Sequence, residues 1–278
     1  MKVAIISNKR REEIDALMKG FENEKIPVVF VNIGKLALFT QGSKTDILAK
    51  GIDFEKYDAI YLWLEPEFTQ FAEPFLDILV SKGIYCQMKP ESFYILSNLP
   101  FLYSVLNAKG VKISKTMILG DVSTVEAIAS NLSFPIIFKM FSGYTKTQSL
   151  VIENTRGLKS AIKSVKAKPD VITIQDYIEG DILYVAVIGK QTFGMTRKWS
   201  KQKFEHEKKT LYTKISDKES EMAIKAANAI GLDIATIKMV EGKVLTVRPQ
   251  IDYLKFNKVL GSNLCNVVAK YFKEVLEV

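Results

Sequence analysis

The sequence has few of the residues that build metal clusters and covalent cross-links. Its 278 residues include one histidine and two cysteines, Cys86 and Cys265. Two thiols this far apart are typical of a reducing cytosol, and with a single histidine they cannot form the usual four-ligand zinc sites. Acid–base chemistry by an imidazole would depend on His206, which lies in a charged stretch and is expected in a solvated loop.

Long hydrophobic runs are also absent. No apolar run reaches about 18 residues, so a membrane span is not expected. The apolar run within Met1–Ser7 is too short for the hydrophobic region of a secretory signal, and it predicts a first strand instead. These features predict a cytoplasmic chain. The 47% apolar and 25% charged content excludes disordered and collagen-like classes.

The positive charge is concentrated in the later part of the chain. Residues 1–92 carry 12 basic and 14 acidic side chains, whereas residues 93–170 carry 10 and 4, and residues 171–278 carry 17 and 13. A localised excess favours an anionic partner such as a nucleotide, a nucleic acid or an acidic peptide. A lysine-rich solvated surface without a partner accounts for the same numbers.

Apolar runs alternate with amphipathic runs in the first third of the sequence. The predicted strands are Val3–Ser7, Val28–Asn32, Tyr57–Leu64 and a fourth that begins at Gly83, and the predicted helices are Arg11–Glu24 and Phe71–Lys82. Strands that are apolar throughout and alternate with helices predict a parallel sheet covered on both faces. Trp63 and the segment 65–67 follow the third strand, where they either shape a substrate site or pack in a turn.

The pattern changes from about residue 93. The predicted elements are a helix over Phe93–Lys109 interrupted near Pro100, the strands Thr116–Leu119, Pro135–Met140 and Ser149–Glu153, and the helices Val125–Leu132 and Gly157–Lys166. In the last third they are the strands Val171–Glu179, Ile182–Gly189 and Gln191–Trp199, the polar connection Ser200–Lys214, the helix Lys218–Ile230 capped by Asp217, the hairpin Ile234–Val240 and Lys243–Val247, and the helix Asn263–Val275.

Several segments carry a family resemblance in their order along the chain. They are Pro135–Lys139, Gln175–Glu179, Met195–Arg197, Ala226–Asp233 and Gly261–Asn263. Together they resemble the RimK-like carboxylate–amine ligases of the ATP-grasp superfamily. The resemblance implies an α/β (α+β) fold with a Rossmann-like parallel-sheet domain over 1–92, a central ATP-grasp subdomain over 93–170 and a C-terminal one over 171–278.

The resemblance also implies roles for individual residues toward ATP or ADP. Lys139 matches the family's phosphate-binding lysine, and Arg197 matches an arginine that faces substrate and phosphate, which makes it the candidate catalytic residue. The segment Gln175, Tyr177, Ile178 and Glu179 matches the stretch whose backbone holds adenine and whose acidic residue holds ribose. The glycine-rich flap after the phosphate lysine is represented by Gly143–Gln148, with a single glycine. Members of the family are commonly homo-oligomers, so an oligomer is implied as well.

The residues that hold Mg²⁺ in the family are replaced in this sequence. The family places an acidic residue on the first hairpin strand and an acidic residue and an asparagine on the second. Here those positions are Lys238, Thr246 and Arg248. A lysine about 4 Å from a divalent ion at an effective dielectric near 20 repels it by about 8 kcal/mol. Mg²⁺ is therefore not expected, and the conventional ligase reaction is predicted to be lost.

Three interpretations of the function follow. In the first, the chain is a non-catalytic relative that binds a nucleotide, another anion or a protein partner. The cations that line the old cleft are then Lys139, Arg197, Lys238 and Arg248, and the last two stand where the metals stood. Alternatively, these two cations pair with local acids such as Asp252 or Glu241 and only hold the hairpin together.

In the second interpretation the chain is an ATP-dependent ligase with a rearranged metal site built from acids near the cleft. The candidates are Glu179, Asp181, Glu205 and Glu207. In the third it binds nucleic acid through the basic and aromatic segment 197–204. A loop whose Trp199 and Phe204 pack on the domain is the favoured explanation of that segment.

Overall fold

The computed structural model of the chain describes residues 1–42, 44–49, 53–65, 68–142, 145–163, 171–200 and 205–277. Several predictions fall outside these ranges: those for 66–67, for the flap residues 143–144, for the end of the helix predicted over 157–166, and for 201–204.

The strands are β1 (Val3–Ser7), β2 (Val28–Asn32), β3 (Leu36–Gln41), β4 (Lys44–Ala49), β5 (Ala59–Trp63), β6 (Tyr85–Cys86), β7 (Thr116–Leu119), β8 (Ile136–Ser142), β9 (Thr145–Ile152), β10 (Val171–Asp176), β11 (Ile182–Ile188), β12 (Gln191–Arg197), β13 (Trp199–Ser200), β14 (Glu205–His206), β15 (Leu211–Tyr212), β16 (Ile234–Val240) and β17 (Lys243–Arg248).

The described part of the chain contains nine α-helices, two more than predicted. They are α1 (Glu12–Asn23), α2 (Thr69–Ser81), α3 (Pro90–Ser97), α4 (Leu99–Ala108), α5 (Val122–Ile128), α6 (Thr155–Lys163), α7 (Asp217–Ala229), α8 (Tyr253–Leu260) and α9 (Leu264–Leu276). None of the described helices is long and apolar enough to cross a membrane.

The first sheet is parallel, as predicted, with the strand order β2-β1-β5-β6. All five residues of β1 and of β5 are buried. Strands buried on both faces need no polar alternation, which explains their continuous apolar sequence. The sequence prediction missed the antiparallel hairpin of β3 and β4 that follows β2.

The second sheet has the order β7-β10-β8-β9 and is antiparallel. One of its faces is apolar and packs against α5 and α6, for example through Phe138, Ile172 and Ile174. Because side chains alternate along a strand, Lys139, Thr173 and Gln175 share the opposite face.

The third sheet has the order β15-β12-β11-β16-β17 and is also antiparallel. The predicted turn Glu241-Gly242 joins β16 to β17, with positive φ angles of 49° and 69° that suit a tight hairpin. The predicted polar connection 200–214 contains the short strands β14 and β15, and β12 ends at Arg197 rather than Trp199.

One helix boundary and one whole helix correct the prediction. The interruption predicted near Pro100 is confirmed, because residues 93–109 belong to two helices, α3 and α4, which Asn98 separates while capping α4. The N-cap of α7 is Ser216 and not Asp217, because Ser216 forms a reciprocal capping box with Glu219. Helix α8, capped by Asp252 and ended by Gly261 at φ 65°, was not predicted.

Candidate functional site

The β16–β17 hairpin places side by side the residues that the resemblance matches to the family's metal site. The strand register sets Lys238 directly opposite Thr246, and Thr236 directly opposite Arg248. On the other side, Lys238 is opposite Tyr184 of β11. The positions that the resemblance picked out therefore lie on one patch of the third sheet.

This patch lines a cavity of about 220 Å³, which we call the cation cavity. Helix α8 closes one side of it. The lining residues are Tyr184, Met195, Thr236, Lys238, Thr246, Arg248, Gln250, Asp252, Lys255 and Phe256. They include three cations and one carboxylate, so the cavity has an excess of positive charge. Lys255, whose ammonium lies 5.7 Å from the centre of the Tyr184 ring, was not anticipated from the sequence.

The local acids do not neutralise Arg248. Its side chain is exposed, and within the described part of the chain it makes no hydrogen bond or ion pair. The carboxylate of Asp252 instead accepts the backbone N–H of Lys255 at 3.1 Å and caps α8. For Arg248, the interpretation as a local ion pair with Asp252 or Glu241 is therefore wrong.

The second sheet holds Lys139 in a closed network. Its ammonium donates to the Tyr103 hydroxyl and to Gln175 Oε1, each at 3.0 Å, and the residue is only 9% exposed. Burial raises the pKa of Tyr103 to about 12, so its hydroxyl keeps its proton at neutral pH. That hydroxyl donates in turn to the backbone oxygen of Leu245 at 3.3 Å. Since Leu245 precedes Thr246 on β17, Tyr103 links the second sheet to the third.

Next to Lys139 lies a polar group without a partner. Thr173 is directly opposite Lys139 in the strand register and is completely buried. Its hydroxyl makes no hydrogen bond to any described residue. An unpaired buried hydroxyl is uncommon, and this one can form a hydrogen bond that no described residue makes with it.

The segment after β10 joins the two sheets. The amide of Tyr177 donates to the Pro135 oxygen at 3.2 Å, and no described residue hydrogen bonds to the amide of Ile178. Glu179 is exposed. Gly180 has φ 146° and lies against Glu241 of the hairpin turn, where a side chain would meet the Glu241 carboxylate at 2.7 Å. Glycine is favoured here by its backbone angle.

His206 is half-buried, so its predicted place in a solvated loop is wrong. Its ring lies 4.8 Å from the Trp199 ring, and Nε2 is 2.9 Å from the oxygen of Gly180. Trp199 also packs on Tyr177, with ring centres 5.9 Å apart, as the packed-loop interpretation predicts. Burial lowers the pKa of His206, and the positive charges of Lys238 and Arg197 lower it further.

Arg197 and its neighbours are tied into the loop beside His206. The Nε of Arg197 donates to the backbone oxygen of Glu207 at 2.8 Å. Asp181 accepts from Lys198 at 2.6 Å and from the amide of Trp199 at 2.9 Å. Although burial raises it, these hydrogen bonds hold the pKa of Asp181 below its usual value.

Two groups of candidate residues come together, and Arg197, Tyr177, Ile178 and Glu179 belong to neither of them. One is the closed network of Lys139, Gln175 and Tyr103, and the other is the cation cavity with Lys238 and Arg248. Across the described ranges, no three or more His, Cys, Asp or Glu side chains come together in a way that could hold a metal ion. Tyr103 and Lys255 could not be found from the sequence, because their roles depend on contacts between separate elements.

Comparison with known proteins gives consistent matches. Residues 102–271 match the family model of the RimK-like ATP-grasp domain. The chain is 22% identical over 230 residues to a probable alpha-L-glutamate ligase from Mannheimia succiniciproducens, covering 78% of this chain and 77% of that protein. It is 20% identical to a protein of the same description from Cellvibrio japonicus, covering 99% and 96%.

Solved structures share the fold along nearly the whole chain. The ATP-grasp ligase PsnB, complexed with the precursor peptide PsnA2 and AMPPNP, has a TM-score of 0.76 at 13% identity, covering 99% of this chain and 98% of that one. The macrocyclase MdnC from Microcystis aeruginosa, bound with the precursor peptide MdnA, has a TM-score of 0.71 at 12% identity, covering 97% and 98%. These similarities confirm the predicted fold class, in which a parallel sheet precedes an ATP-grasp fold.

Proposed function

This chain belongs to the RimK-like ATP-grasp family, and from that membership we propose that it binds a nucleotide or a related anion without Mg²⁺. We further propose that it no longer carries out the metal-dependent ligase reaction of the family. The division into 1–92, 93–170 and 171–278 is part of this proposal, with the ligand between the last two parts.

The observation that carries the proposal is the pairing of Lys238 with Thr246 beside Arg248. Mg²⁺ prefers hard oxygen ligands, usually carboxylates. Two cations and a hydroxyl in its place do not fit the ion, because each cation at about 4 Å would repel it by about 8 kcal/mol at an effective dielectric near 20. No reaction step is therefore assigned to a metal at this hairpin.

The same cations suit an anion directly. A guanidinium presents a planar fork of donors that matches phosphate or carboxylate oxygens, and an ammonium adds a compact charge. Arg248 has no competing partner among the described residues. We assign to Lys238 and Arg248 the charge neutralisation that Mg²⁺ supplies elsewhere in the family.

Features of the second sheet and of the following segment support a nucleotide as the ligand. The Thr173 hydroxyl, which makes no hydrogen bond to any described residue, and the Lys139–Gln175 pair are buried polar groups on that sheet face. The amide of Ile178 is an available donor for a nucleobase. We assign Gln175, Tyr177 and Ile178 to the base, Glu179 to the ribose, and Lys139 and Arg197 to the phosphates.

Calorimetric titration of ATP and ADP in EDTA tests this proposal. We expect binding by the wild type and a loss of at least about tenfold in both Lys238→Ala and Arg248→Ala, since hydrogen bonds to charged groups contribute about 1.5–3 kcal/mol. Lys243→Ala is the matched control, because Lys243 lies on the same hairpin as Lys238 and Arg248 but does not line the cation cavity. Equal affinities for all variants, or no binding by the wild type, would contradict the proposal.

The alternative of an active ligase with a rearranged metal site has less support. Asp181, one of the acids it needs, is already held by Lys198 and the Trp199 amide. Single-turnover formation of ADP from ATP in the presence of Mg²⁺ and amino acids would establish that alternative and remove the claim that ligase chemistry is lost.

A further inference from the structure

A second cavity adjoins the cation cavity. It has a volume of about 280 Å³ and lies between the carboxyl end of β5, helix α3 and the end of β17. We call it the apolar cavity. Its lining residues are Leu64, Glu65, Phe93, Leu96, Ser97, Val247, Arg248, Pro249 and Gln250. The carboxyl ends of parallel strands are a common place for ligands in α/β sheets.

The two cavities share Arg248 and Gln250. Gln250 is fixed in the wall, because its Nε2 donates to the Leu64 oxygen at 3.1 Å and its own backbone oxygen accepts from Thr236 at 2.8 Å. The Arg248 side chain is exposed and has no hydrogen bond or ion pair with any residue the structure describes. A ligand at the shared edge would therefore meet the guanidinium of Arg248 while touching both cavities.

The cavities differ in chemistry. The cation cavity contains three cations against the one carboxylate of Asp252. In the apolar cavity the carboxylate of Glu65 is already paired with Arg11, which leaves the side chains of Phe93, Leu96 and Val247 to define its character. One cavity thus favours an anionic group, and the other favours a group that avoids water.

We propose that the two cavities form one site for a small anion that carries an apolar substituent. The anionic group, a phosphate or a carboxylate, binds Lys238, Lys255 and Arg248, and the substituent extends past Arg248 into the apolar cavity. This inference rests on the anion binding proposed above, and it adds a ligand class and a role for Lys255. The excess of cations argues against a neutral ligand, and the apolar walls argue against an inorganic ion alone.

A series of alkyl phosphates tests the inference with the full-length protein. Affinity is measured by calorimetry for inorganic phosphate and for methyl, propyl and pentyl phosphate, and a parallel series from acetate to hexanoate distinguishes phosphate from carboxylate. We expect the affinity to rise with chain length by up to about fourfold per methylene group until the apolar cavity is full.

Two variants locate the effect. Leu96→Gln, in the wall of the apolar cavity, is expected to remove most of the dependence on chain length while leaving phosphate affinity unchanged. Tyr94→Gln on the same helix is the control, because Tyr94 is 38% exposed and does not line the cavity. Lys255→Ala is expected to weaken all members of the series by about tenfold, against Lys258→Ala as its control.

The outcomes separate this inference from the proposed function. Phosphate binding with no dependence on chain length in the wild type would overturn the inference and leave metal-free anion binding intact. No binding of any probe or of ADP would overturn both. The chain-length series on the wild type tests the inference by itself, so the inference stays testable even if Leu96→Gln folds poorly.

Discussion

Two lysines on facing parts of the ATP-grasp fold have opposite surroundings. Lys139 on β8 is almost fully buried and donates to Tyr103 and Gln175. Lys238 on β16 is half-buried and lines an open cavity with Arg248 and Lys255. In the first region the cation belongs to a network that connects two sheets, and in the second several cations crowd together. Lys139 therefore helps to hold the fold in addition to its proposed contact with phosphate, whereas the proposed role of Lys238 is toward the ligand alone.

Charge reversal in the cation cavity should give the largest effect. In the double variant Lys238→Glu/Arg248→Glu we expect the affinity for ADP in EDTA to fall by more than about 100-fold, because attraction is replaced by repulsion at both positions. Calorimetry measures the change, and the double variant Lys190→Glu/Lys243→Glu, at two exposed positions outside the cavity, controls for net charge. A loss of less than tenfold would mean that ADP binds elsewhere.

The closed network should respond through stability. We expect Tyr103→Phe to lower the free energy of unfolding by about 2 kcal/mol, because the Leu245 oxygen loses its donor and Lys139 loses an acceptor in a buried place. Urea unfolding measures the change. The exposed Tyr94→Phe should stay within about 0.5 kcal/mol of wild type, and equal effects of the two substitutions would show that the network does not stabilise the fold.

Removal of the charge of Lys238 should have little effect on stability. We expect Lys238→Met to change the free energy of unfolding by less than about 0.5 kcal/mol, because the long apolar chain is kept and the half-buried side chain lines an open cavity. Urea unfolding in a buffer without multivalent anions measures it. Destabilisation as large as that of Tyr103→Phe would erase the distinction between the two regions.

The smallest effect concerns the titration of His206. The positive charge of Lys238 helps to lower its pKa, so Lys238→Met should raise it, and bound ADP should raise it in the wild type. NMR can follow this without assignment problems, because the chain has a single histidine. No change in either experiment would place the bound anion away from His206.

The same lowered pKa has a consequence for stability. At high pH His206 is neutral in both the folded and the unfolded states, so it does not affect stability. As the pH falls below about 6.5, His206 is protonated in the unfolded chain while it stays neutral in the folded protein, which favours unfolding. Stability should therefore decrease as the pH falls from about 6.5 toward the folded-state pKa, and this decrease should be smaller in His206→Gln. A steeper decrease of stability in the variant would contradict a lowered pKa of His206 in the folded protein.

Sequence patterns were sufficient where local signals and family order agreed. β1 and β2 have the predicted bounds, and the predicted hairpin brings Lys238 and Thr246, two positions that the resemblance picked out, opposite each other. Helix α8 had usable signals that were missed: Asp252 before it, Gly261 after it, and Tyr253, Phe256 and Leu260 spaced along one face. The capping box of Ser216 and Glu219 was likewise visible in the sequence.

Other features depend on tertiary contacts that no local pattern contains. Tyr103 lies within an apolar helix, and only its approach to Lys139 and Leu245 gives it a role. The sequence around Lys255 does not distinguish it from the other lysines. Only the packing of α8 against the third sheet brings it to the cation cavity. The half-buried state of His206 arises from its contact with Trp199, although the surrounding sequence is strongly charged.

The central claim is that cations have taken the place of metal ions at the β16–β17 hairpin. Its most direct test is the dissociation constant of ADP for the wild-type protein, measured by calorimetry in EDTA and again in excess Mg²⁺. We expect binding in EDTA, with equal or weaker binding in Mg²⁺, because Mg²⁺ would compete with Lys238 and Arg248 for the phosphates. An affinity that requires Mg²⁺, or that rises more than about tenfold with it, would contradict the claim.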